Sequence, residues 1–199
     1  MNIETLCVHS PNEDKNAHAY GAMTVPIFQT ATFSHPGVGE STGYDYSRQS
    51  NPTRTELEDC ISAMEGAYDT VATSTGMAAC SLVLELFNAG DHIISQEDIY
   101  GGRTRLFNTL GIDRGRKFSY VDTTNPENVL NAINENTKAI FIETPSNPTM
   151  LVTDIREMAK IAKKHNLLLI VDNTFLSPYF QNPIKLGADI VIHSGTKYI

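Results

Sequence analysis

Cysteine is scarce in this sequence, and its three cysteines form no pattern. Cys7, Cys60 and Cys80 are odd in number and far apart, and no C-x-x-C pair occurs. No disulfide framework is predicted, and we expect a reducing, cytoplasmic compartment. The six histidines show neither H-x-x-x-H nor H-E-x-x-H spacing. With no cysteine pair to complement them, the sequence predicts no metal site.

Long apolar runs and an excess of basic charge are also missing. No run approaches the roughly 20 residues that span a bilayer. The first ten residues have neither the basic nor the apolar region of a secretory signal. Lysine and arginine number 15 against 23 aspartates and glutamates, which gives a net charge of −8. Because nucleic acids bind to basic faces, we expect neither a membrane nor a nucleic acid as a partner.

The first 52 residues differ in composition from the rest of the chain. They are rich in Thr, Ser, Gly, Pro and Tyr and show little periodicity, which predicts an extended, loop-rich arm. A floppy terminal tail would have a similar composition. Against that alternative stand four aromatic residues that need burial on this subunit or on another one: Phe28, Phe33, Tyr44 and Tyr46.

Residues 53–199 are predicted to form one α/β domain. Thr53 and Thr124 stand in capping-box spacing with Glu56 and Glu127, and Asp154 is a third predicted N-cap. Because the strands are apolar without alternation and most are separated by helices, we expect a mainly parallel sheet sandwiched by helices. The predicted strands cover 69–74, 91–96, 117–122, 138–144, 167–174 and 188–194, and the predicted helices cover 53–67, 76–90, 101–111, 124–136 and 154–165.

Ligands of such sheets bind beyond the carboxyl ends of the strands, so the residues after each strand are site candidates. The stretch TSTGMAA (73–79) opens a helix whose free N–H groups would cradle a phosphate or a carboxylate. An ordinary capped helix start has the same pattern. Neither G-x-x-x-x-G-K-[ST] nor G-x-G-x-x-G occurs, so a nucleotide site is not favoured.

Two charged residues also follow apolar strands. Asp172 ends the run LLLIV, where a carboxylate needs a cation or several donors to remain ionised. It is either a cap for backbone amides or a counter-ion for a protonated ring nitrogen. Lys197 follows DIVIH in a turn with Ser194 and Thr196. It is either a surface charge or an amine that a nearby cation or a dry pocket makes nucleophilic.

A phosphate cradle, an aromatic side chain, an aspartate and a lysine at strand ends are the components of a pyridoxal-phosphate site. The chain contains, in order, YDYSRQSNPTR, TSTGMAA, DIYGG, ETPSNP, VDNTF and HSGTKY. With these stretches the sequence resembles the Cys/Met metabolism enzymes, the trans-sulfuration family of fold-type I enzymes that depend on pyridoxal 5′-phosphate. PIFQTATF in the arm fits as well. The resemblance implies an α/β fold-type I transferase with an extended N-terminal arm.

The resemblance also implies a role for each matching residue. Lys197 would bind the cofactor covalently, Asp172 would pair with its ring nitrogen, and Asn147 would lie near its phenolate oxygen or the substrate. Tyr100 would stack on the ring and help the leaving group to depart. Tyr46 and Arg48 would reach the cofactor phosphate of the neighbouring subunit in a homotetramer, a dimer of dimers. Four further residues would contact the phosphate through amides or hydroxyls: Gly76, Met77, Ser194 and Thr196.

The implied substrates are sulfur-containing amino acids or homoserine esters, and the implied reaction is γ-elimination or γ-replacement of the cystathionine γ-lyase or γ-synthase type. Lys197, released from the cofactor, would shuttle protons. The motifs leave β-lyase, methionine γ-lyase and acylhomoserine sulfhydrylase activities open. Methionine γ-lyases tend to carry Cys where this chain has Gly102, so YGGRTRLF is more similar to cystathionine synthases and lyases.

Members of the family run on for about as many residues again, through a C-terminal domain whose arginine binds the substrate carboxylate. We therefore expect residues 1–52 to be the arm and residues 53–199 to be a truncated cofactor-binding domain, inactive alone. The alternative is a truncated, non-catalytic protein that binds the cofactor or a full-length partner.

Overall fold

The computed structural model describes residues 1–9, 11 and 19–199. His18, one of the histidines considered for a metal site, lies outside them. The chain divides into two compact units, Met1–Ala72 and Thr73–Ile199. The end of the predicted arm, at residue 52, falls within the first unit at the beginning of a helix.

The first unit contains α1 (Ile3–Leu6), a 3₁₀ turn (Ala19–Gly21) and α2 (Pro52–Glu65). The N-cap of α2 is Asn51, whose side chain accepts a hydrogen bond from the Thr53 amide at 2.9 Å. The capping box predicted at Thr53 is therefore wrong. Pro52 suits the first helical position because it has no N–H to satisfy, and this moves the cap upstream.

The arm folds back on itself within the first unit. Thr32 and Tyr46 form an antiparallel bridge, and the ring centroids of Phe33 and Tyr44 lie 5.7 Å apart. The Thr53 hydroxyl accepts a hydrogen bond from the amide of Phe28 at 2.9 Å. The four aromatic residues that the sequence marks for burial are all half-buried.

A five-stranded, all-parallel sheet forms the centre of the second unit. Its strand order is β2-β1-β3-β4-β5, and Glu143 lies beside Asp172 where β3 and β4 end. The strands are β1 (His92–Gln96), β2 (Lys117–Val121), β3 (Thr137–Glu143), β4 (Leu168–Asp172) and β5 (Ile190–Ile192). This confirms the predicted parallel α/β fold.

The helices of the second unit depart from the prediction at several ends. The cap of the helix after β2 is Asn125, which accepts from the Glu127 amide, so the box predicted at Thr124 is wrong. Asp154 is an N-cap as predicted. The helices are α3 (Gly76–Leu84), α4 (Gly101–Leu106) with a following π-helical turn (Phe107–Gly111), α5 (Pro126–Ala132), α6 (Ile155–His165), α7 (Ser177–Phe180) and α8 (Pro183–Leu186).

The predicted strand at 69–74 is absent from the structure. The amide of Ala72 donates to Glu58 Oε1 at 2.8 Å rather than to a neighbouring strand. In the described part of the chain the segment pairs with no strand, and a strand needs such a partner for its hydrogen bonds.

Apolar layers cover both faces of the sheet. Ile140 and Ile142 of β3 pack with α5 and α6 on one face, while Ala139 and Phe141 pack with α3 and α4 on the other. Successive strand residues point to opposite faces, so a run without alternation is what two covered faces require. Among the described residues, no helix is long and apolar enough to cross a membrane.

Candidate functional site

A cavity of about 390 Å³ opens at the carboxyl ends of the strands in the second unit. Its position follows from the parallel sheet, whose strand ends and following loops lie on one edge. Every candidate site residue in the second unit lines this cavity: Gly76, Met77, Tyr100, Asn147, Asp172, Ser194, Thr196 and Lys197. Residues separated by more than 100 positions in sequence are thus gathered around one space of ligand size.

The N-terminus of α3 forms one wall of the cavity. Thr75 caps the helix, its hydroxyl accepting from the Ala78 amide at 3.0 Å. The amides of Gly76 and Met77 lie in the first turn, where the helix supplies no acceptor. Only glycine fits at position 76, because a Cβ there would lie 2.8 Å from Ser194 Cβ and 3.2 Å from Ser194 Cα. First-turn amides and a serine hydroxyl thus meet at one point, as an anion requires.

The turn after β5 carries Lys197 to the same wall. Its backbone amide donates to Ser194 O at 3.1 Å, and its Nζ lies 3.4 Å from Thr196 Oγ1. The hydroxyls of Ser194 and Thr196 are 2.9 Å apart. Lys197 is exposed, so the described residues of this chain do not form the dry pocket that the sequence suggested for its amine.

Asp172 belongs to a buried ionic cluster. Its Oδ1 accepts from the Thr174 amide at 2.9 Å, and its Oδ2 accepts from Arg103 Nη2 at 2.5 Å. The same nitrogen donates to Glu143 Oε2 at 2.8 Å. Arg103 is 1% exposed, and its guanidinium carbon lies 4.7 Å from the centre of the Phe141 ring. The capping interpretation of Asp172 therefore holds, since it accepts from the Thr174 amide. Its cationic partner within the chain is Arg103, and its role as counter-ion for a ring nitrogen stays a prediction.

Tyr100 lines the cavity as well. Its ring is half exposed, and its amide donates to Glu143 Oε2 at 3.1 Å. A Cβ on Gly102 would lie 2.5 Å from the Tyr100 ring. A cysteine at position 102 would therefore displace this ring, so the glycine and the position of the tyrosine are linked.

A carboxylate outside the cavity holds the loop that carries Asn147. Asp98 accepts hydrogen bonds from the hydroxyls of Ser146 and Thr149. The Ser146 hydroxyl accepts from the Leu151 amide at 3.0 Å. The two hydroxyl contacts lower the pKa of Asp98 below its ordinary value of 3.8. Asp98 thus fixes both sides of Asn147 without touching the cavity.

We expect Asp98→Ala to lower the free energy of unfolding at neutral pH by about 1 kcal/mol, because two hydroxyls lose a charged acceptor at a partly exposed site. The contribution of the carboxylate is present above pH 3.8, the ordinary value, and is lost as the pH falls through the lower folded-state value. Urea unfolding at several pH values and hydrogen exchange of the Thr149 and Leu151 amides measure both effects.

Asp122→Ala is the matched control for Asp98→Ala. Asp122 accepts from the amide and hydroxyl of Thr124, away from the cavity. The Asp122→Ala variant should lower the free energy of unfolding by a similar amount and leave amide hydrogen exchange in the 144–151 loop unchanged. Equal exchange in that loop for both variants would show that Asp98 does not hold it.

Tyr46 and Arg48 lie in the first unit and are arranged as a pair. Arg48 Nη2 donates to the Tyr46 hydroxyl at 2.6 Å, and its guanidinium carbon lies 5.2 Å from the centre of the Tyr46 ring. Tyr46 is half-buried and Arg48 is exposed. A phenol and an arginine so joined offer an anion two donors, but their predicted role at a neighbouring subunit stays a prediction.

Two charged residues of the cavity wall were not identified from the sequence. Glu143 closes the apolar run AIFI as Asp172 closes LLLIV, and the same reasoning would have found it. Arg103 has no such signal, because it lies in a short helix with Arg105 and reads as a solvated charge. In the described ranges, no group of three or more His, Cys, Asp or Glu side chains could hold a metal ion.

Comparison with known proteins places these residues in a family. The model of the Cys/Met metabolism PLP-dependent enzymes matches residues 4–199. The cystathionine γ-lyase of Bacillus subtilis (strain 168) is 49% identical over 205 residues, which are 100% of this chain and 52% of that protein. The cystathionine γ-synthase of Haemophilus influenzae is 50% identical over 198 residues, which are 99% of this chain and 53% of that protein.

The crystal structure of metB from Corynebacterium glutamicum has a similar fold. It superposes with a TM-score of 0.94 at 42% identity, covering 100% of this chain and 51% of that one. The chain therefore spans about half the length of the relatives it matches.

Proposed function

Because this chain belongs to the family of Cys/Met metabolism PLP-dependent enzymes, we propose that its cavity binds pyridoxal 5′-phosphate and attaches it to Lys197. We further propose that the whole protein eliminates or replaces the γ-substituent of a sulfur-containing amino acid or a homoserine ester. The single observation that carries the proposal is the gathering of Lys197, Asp172, Tyr100 and the α3 N-terminus around one cavity.

The donor set fits a phosphorylated pyridine. The amides of Gly76 and Met77 and the hydroxyls of Ser194 and Thr196 suit a phosphate, and the contact at Gly76 leaves no room for a side chain there. Asp172 is a carboxylate that pairs with the buried guanidinium of Arg103. The amine of Lys197 lines the same cavity.

When bound, pyridoxal phosphate supplies an electron sink for carbanion chemistry. The side chains of this chain do the rest. Asp172 would pair with a protonated ring nitrogen, and Tyr100, which lines the cavity, would stack on the ring. The amine of Lys197 would take and return protons at the substrate carbons. Asn147 faces the same space from its loop.

The choice between synthase and lyase stays open in this proposal. Relatives of both types, a γ-lyase and a γ-synthase, are nearly equally similar to the chain. Gly102 favours a cystathionine enzyme over a methionine γ-lyase, because the family resemblance places a cysteine at this position in methionine γ-lyases. A screen of the whole protein with cystathionine, homocysteine, methionine and acyl-homoserines plus cysteine separates the alternatives.

We further propose that the protein is a cytoplasmic homotetramer, a dimer of dimers. Cys7, Cys60 and Cys80 are all free thiols, which supports a reducing compartment. The joined side chains of Tyr46 and Arg48 suit the phosphate of a neighbouring subunit. Crosslinking of the whole protein, followed by mass measurement, tests the assembly.

We expect the 199-residue chain alone to release no 2-oxobutanoate from L-cystathionine, because it spans about half of its relatives. A coupled assay of the purified chain with excess pyridoxal phosphate measures this. The whole protein serves as the positive control. Sustained turnover by the chain alone would contradict the expectation, and cofactor binding without turnover by the whole protein would favour a non-catalytic binding protein.

A further inference from the structure

The cluster of Arg103, Glu143 and Asp172 contains donors that the chain does not use. Nε and Nη1 of Arg103 are buried and have no hydrogen-bond partner in the described residues. Nη2 pairs with both carboxylates at once. The guanidinium also adjoins the Cys80 thiol: burial raises the pKa of that thiol, and Arg103 lowers it. Buried ion pairs are weak evidence for stability because desolvation offsets their attraction. A purpose other than stability is therefore indicated for an arginine that is 1% exposed and lines the cavity.

The charges of the cluster do not cancel. One guanidinium lies between two carboxylates, which gives the cluster a formal charge of −1 when both acids are ionised. Glu143 and Asp172 are the acidic side chains among the described residues that line the cavity. The other titratable groups that line it are the thiol of Cys80, the phenols of Tyr100 and Tyr198, and the amine of Lys197. The net charge suits one cationic group of a ligand.

The pKa of Glu143 depends on its burial and on its two charged neighbours. Burial raises the pKa of its carboxyl above the ordinary value, the Arg103 guanidinium lowers it, and the charge of Asp172 raises it. Without Arg103, two buried carboxylates would adjoin, and such a pair holds one proton between its members. The arginine therefore opposes the effect that burial and the Asp172 charge have on the pKa of Glu143.

We propose that Arg103 is a positioning residue that bridges Asp172 to Glu143, so that both carboxylates are held at the cavity wall and the cluster presents one formal negative charge to a protonated ring nitrogen. The second half of this inference rests on the proposed cofactor. The first half concerns the chain alone and is tested without the cofactor.

The first experiment follows the Glu143 carboxyl in the cofactor-free chain by carbon-13 NMR of labelled glutamate. Arg103→Met should raise the pKa of Glu143 by about one to three units, and Asp172→Asn should lower it. Circular dichroism confirms that each variant is folded. An unchanged Glu143 titration in folded Arg103→Met overturns the bridging role, whether or not the chain binds a cofactor.

The second experiment measures the nitrogen-15 shift of ring-labelled pyridoxal phosphate bound to the chain. Glu143→Gln leaves a neutral cluster, so the pKa of the ring nitrogen should fall by about one to three units. Adding Arg103→Met to Glu143→Gln restores one negative charge, and the ring nitrogen should return towards its wild-type shift. A packing role predicts instead that the double variant is worse than either single variant.

Arg116→Met is the matched control. Arg116 is also buried, donates from Nε to Phe87 O at 2.8 Å and pairs with Glu85, but it does not line the cavity. It should lower stability and leave both NMR readouts unchanged. Failure of the wild-type chain to bind pyridoxal phosphate would overturn the proposed function and the ring-nitrogen role together, while the Glu143 titration would still decide the bridging role.

Discussion

Replacing Lys197 with alanine is expected to abolish the visible absorption band that the chain acquires with pyridoxal 5′-phosphate. The amine of Lys197 lies on the cavity wall with the Ser194 and Thr196 hydroxyls beside it, and alanine has no group that can bond to the cofactor aldehyde. Borohydride reduction followed by peptide mass mapping should find the cofactor on Lys197 in the wild-type chain and on no cavity residue in the variant.

Two controls make this result specific. Lys197→Arg keeps the positive charge and its attraction for the phosphate but cannot form the bond, so it should bind the cofactor without the band. Lys185→Ala removes an exposed lysine of α8 and should leave the band unchanged at one equivalent of cofactor. An undiminished band in Lys197→Ala would place the attachment elsewhere and remove the basis of the proposed function.

The sheet was predictable because a strand that is buried on both faces has an apolar sequence without alternation. The centres of β3 and β4 are continuous apolar runs, AIFI and LLIV, and β1 has Ile93 and Ile94 at its centre. Each of these strands was predicted to within one or two residues at either end. The segment 69–74 contains Thr and Val, which favour strands, but it has no partner strand among the described residues. Strand formation depends on a neighbour, and a local pattern does not contain that neighbour.

Helix ends were less predictable because neighbouring residues compete to cap them. Thr53 and Thr124 fit the capping-box spacing, yet Asn51 and Asn125 cap the helices. Each asparagine precedes a proline, which favours the first helical position. The short helices α7 and α8 have four residues each, too few for a periodic pattern to mark them.

The cavity residues that could be predicted are those that follow a strand, because the parallel topology places them at one edge of the sheet. A residue just after a parallel strand must lie at the carboxyl edge, which is why Asp172, Asn147 and Lys197 were found. Arg103 reaches the same edge from a helix, and its burial depends on two carboxylates 40 and 69 positions away. Such a contact is set by packing and has no local signature.

Gly76→Ala is expected to weaken binding of pyridoxal phosphate about tenfold to a hundredfold, the equivalent of one lost hydrogen bond to a charged group. The new Cβ would lie 2.8 Å from Ser194 Cβ and 3.2 Å from its Cα. Since the second contact involves backbone, a side-chain rotation cannot relieve it. The first turn of α3 and the turn after β5 must separate, and the amides and the hydroxyl would no longer converge on one phosphate.

Two ligands and a second glycine variant test whether the α3 N-terminus binds the phosphate. Pyridoxal without its phosphate should bind Gly76→Ala and the wild-type chain alike, because the damage is confined to the anion cradle. Gly195→Ala should bind both ligands normally, since a Cβ there meets nothing within 4 Å. Isothermal titration gives all the affinities. If Gly76→Ala lost affinity for both ligands equally while remaining folded, the α3 N-terminus would not be the phosphate site, and the cradle would have to be sought elsewhere on the cavity wall.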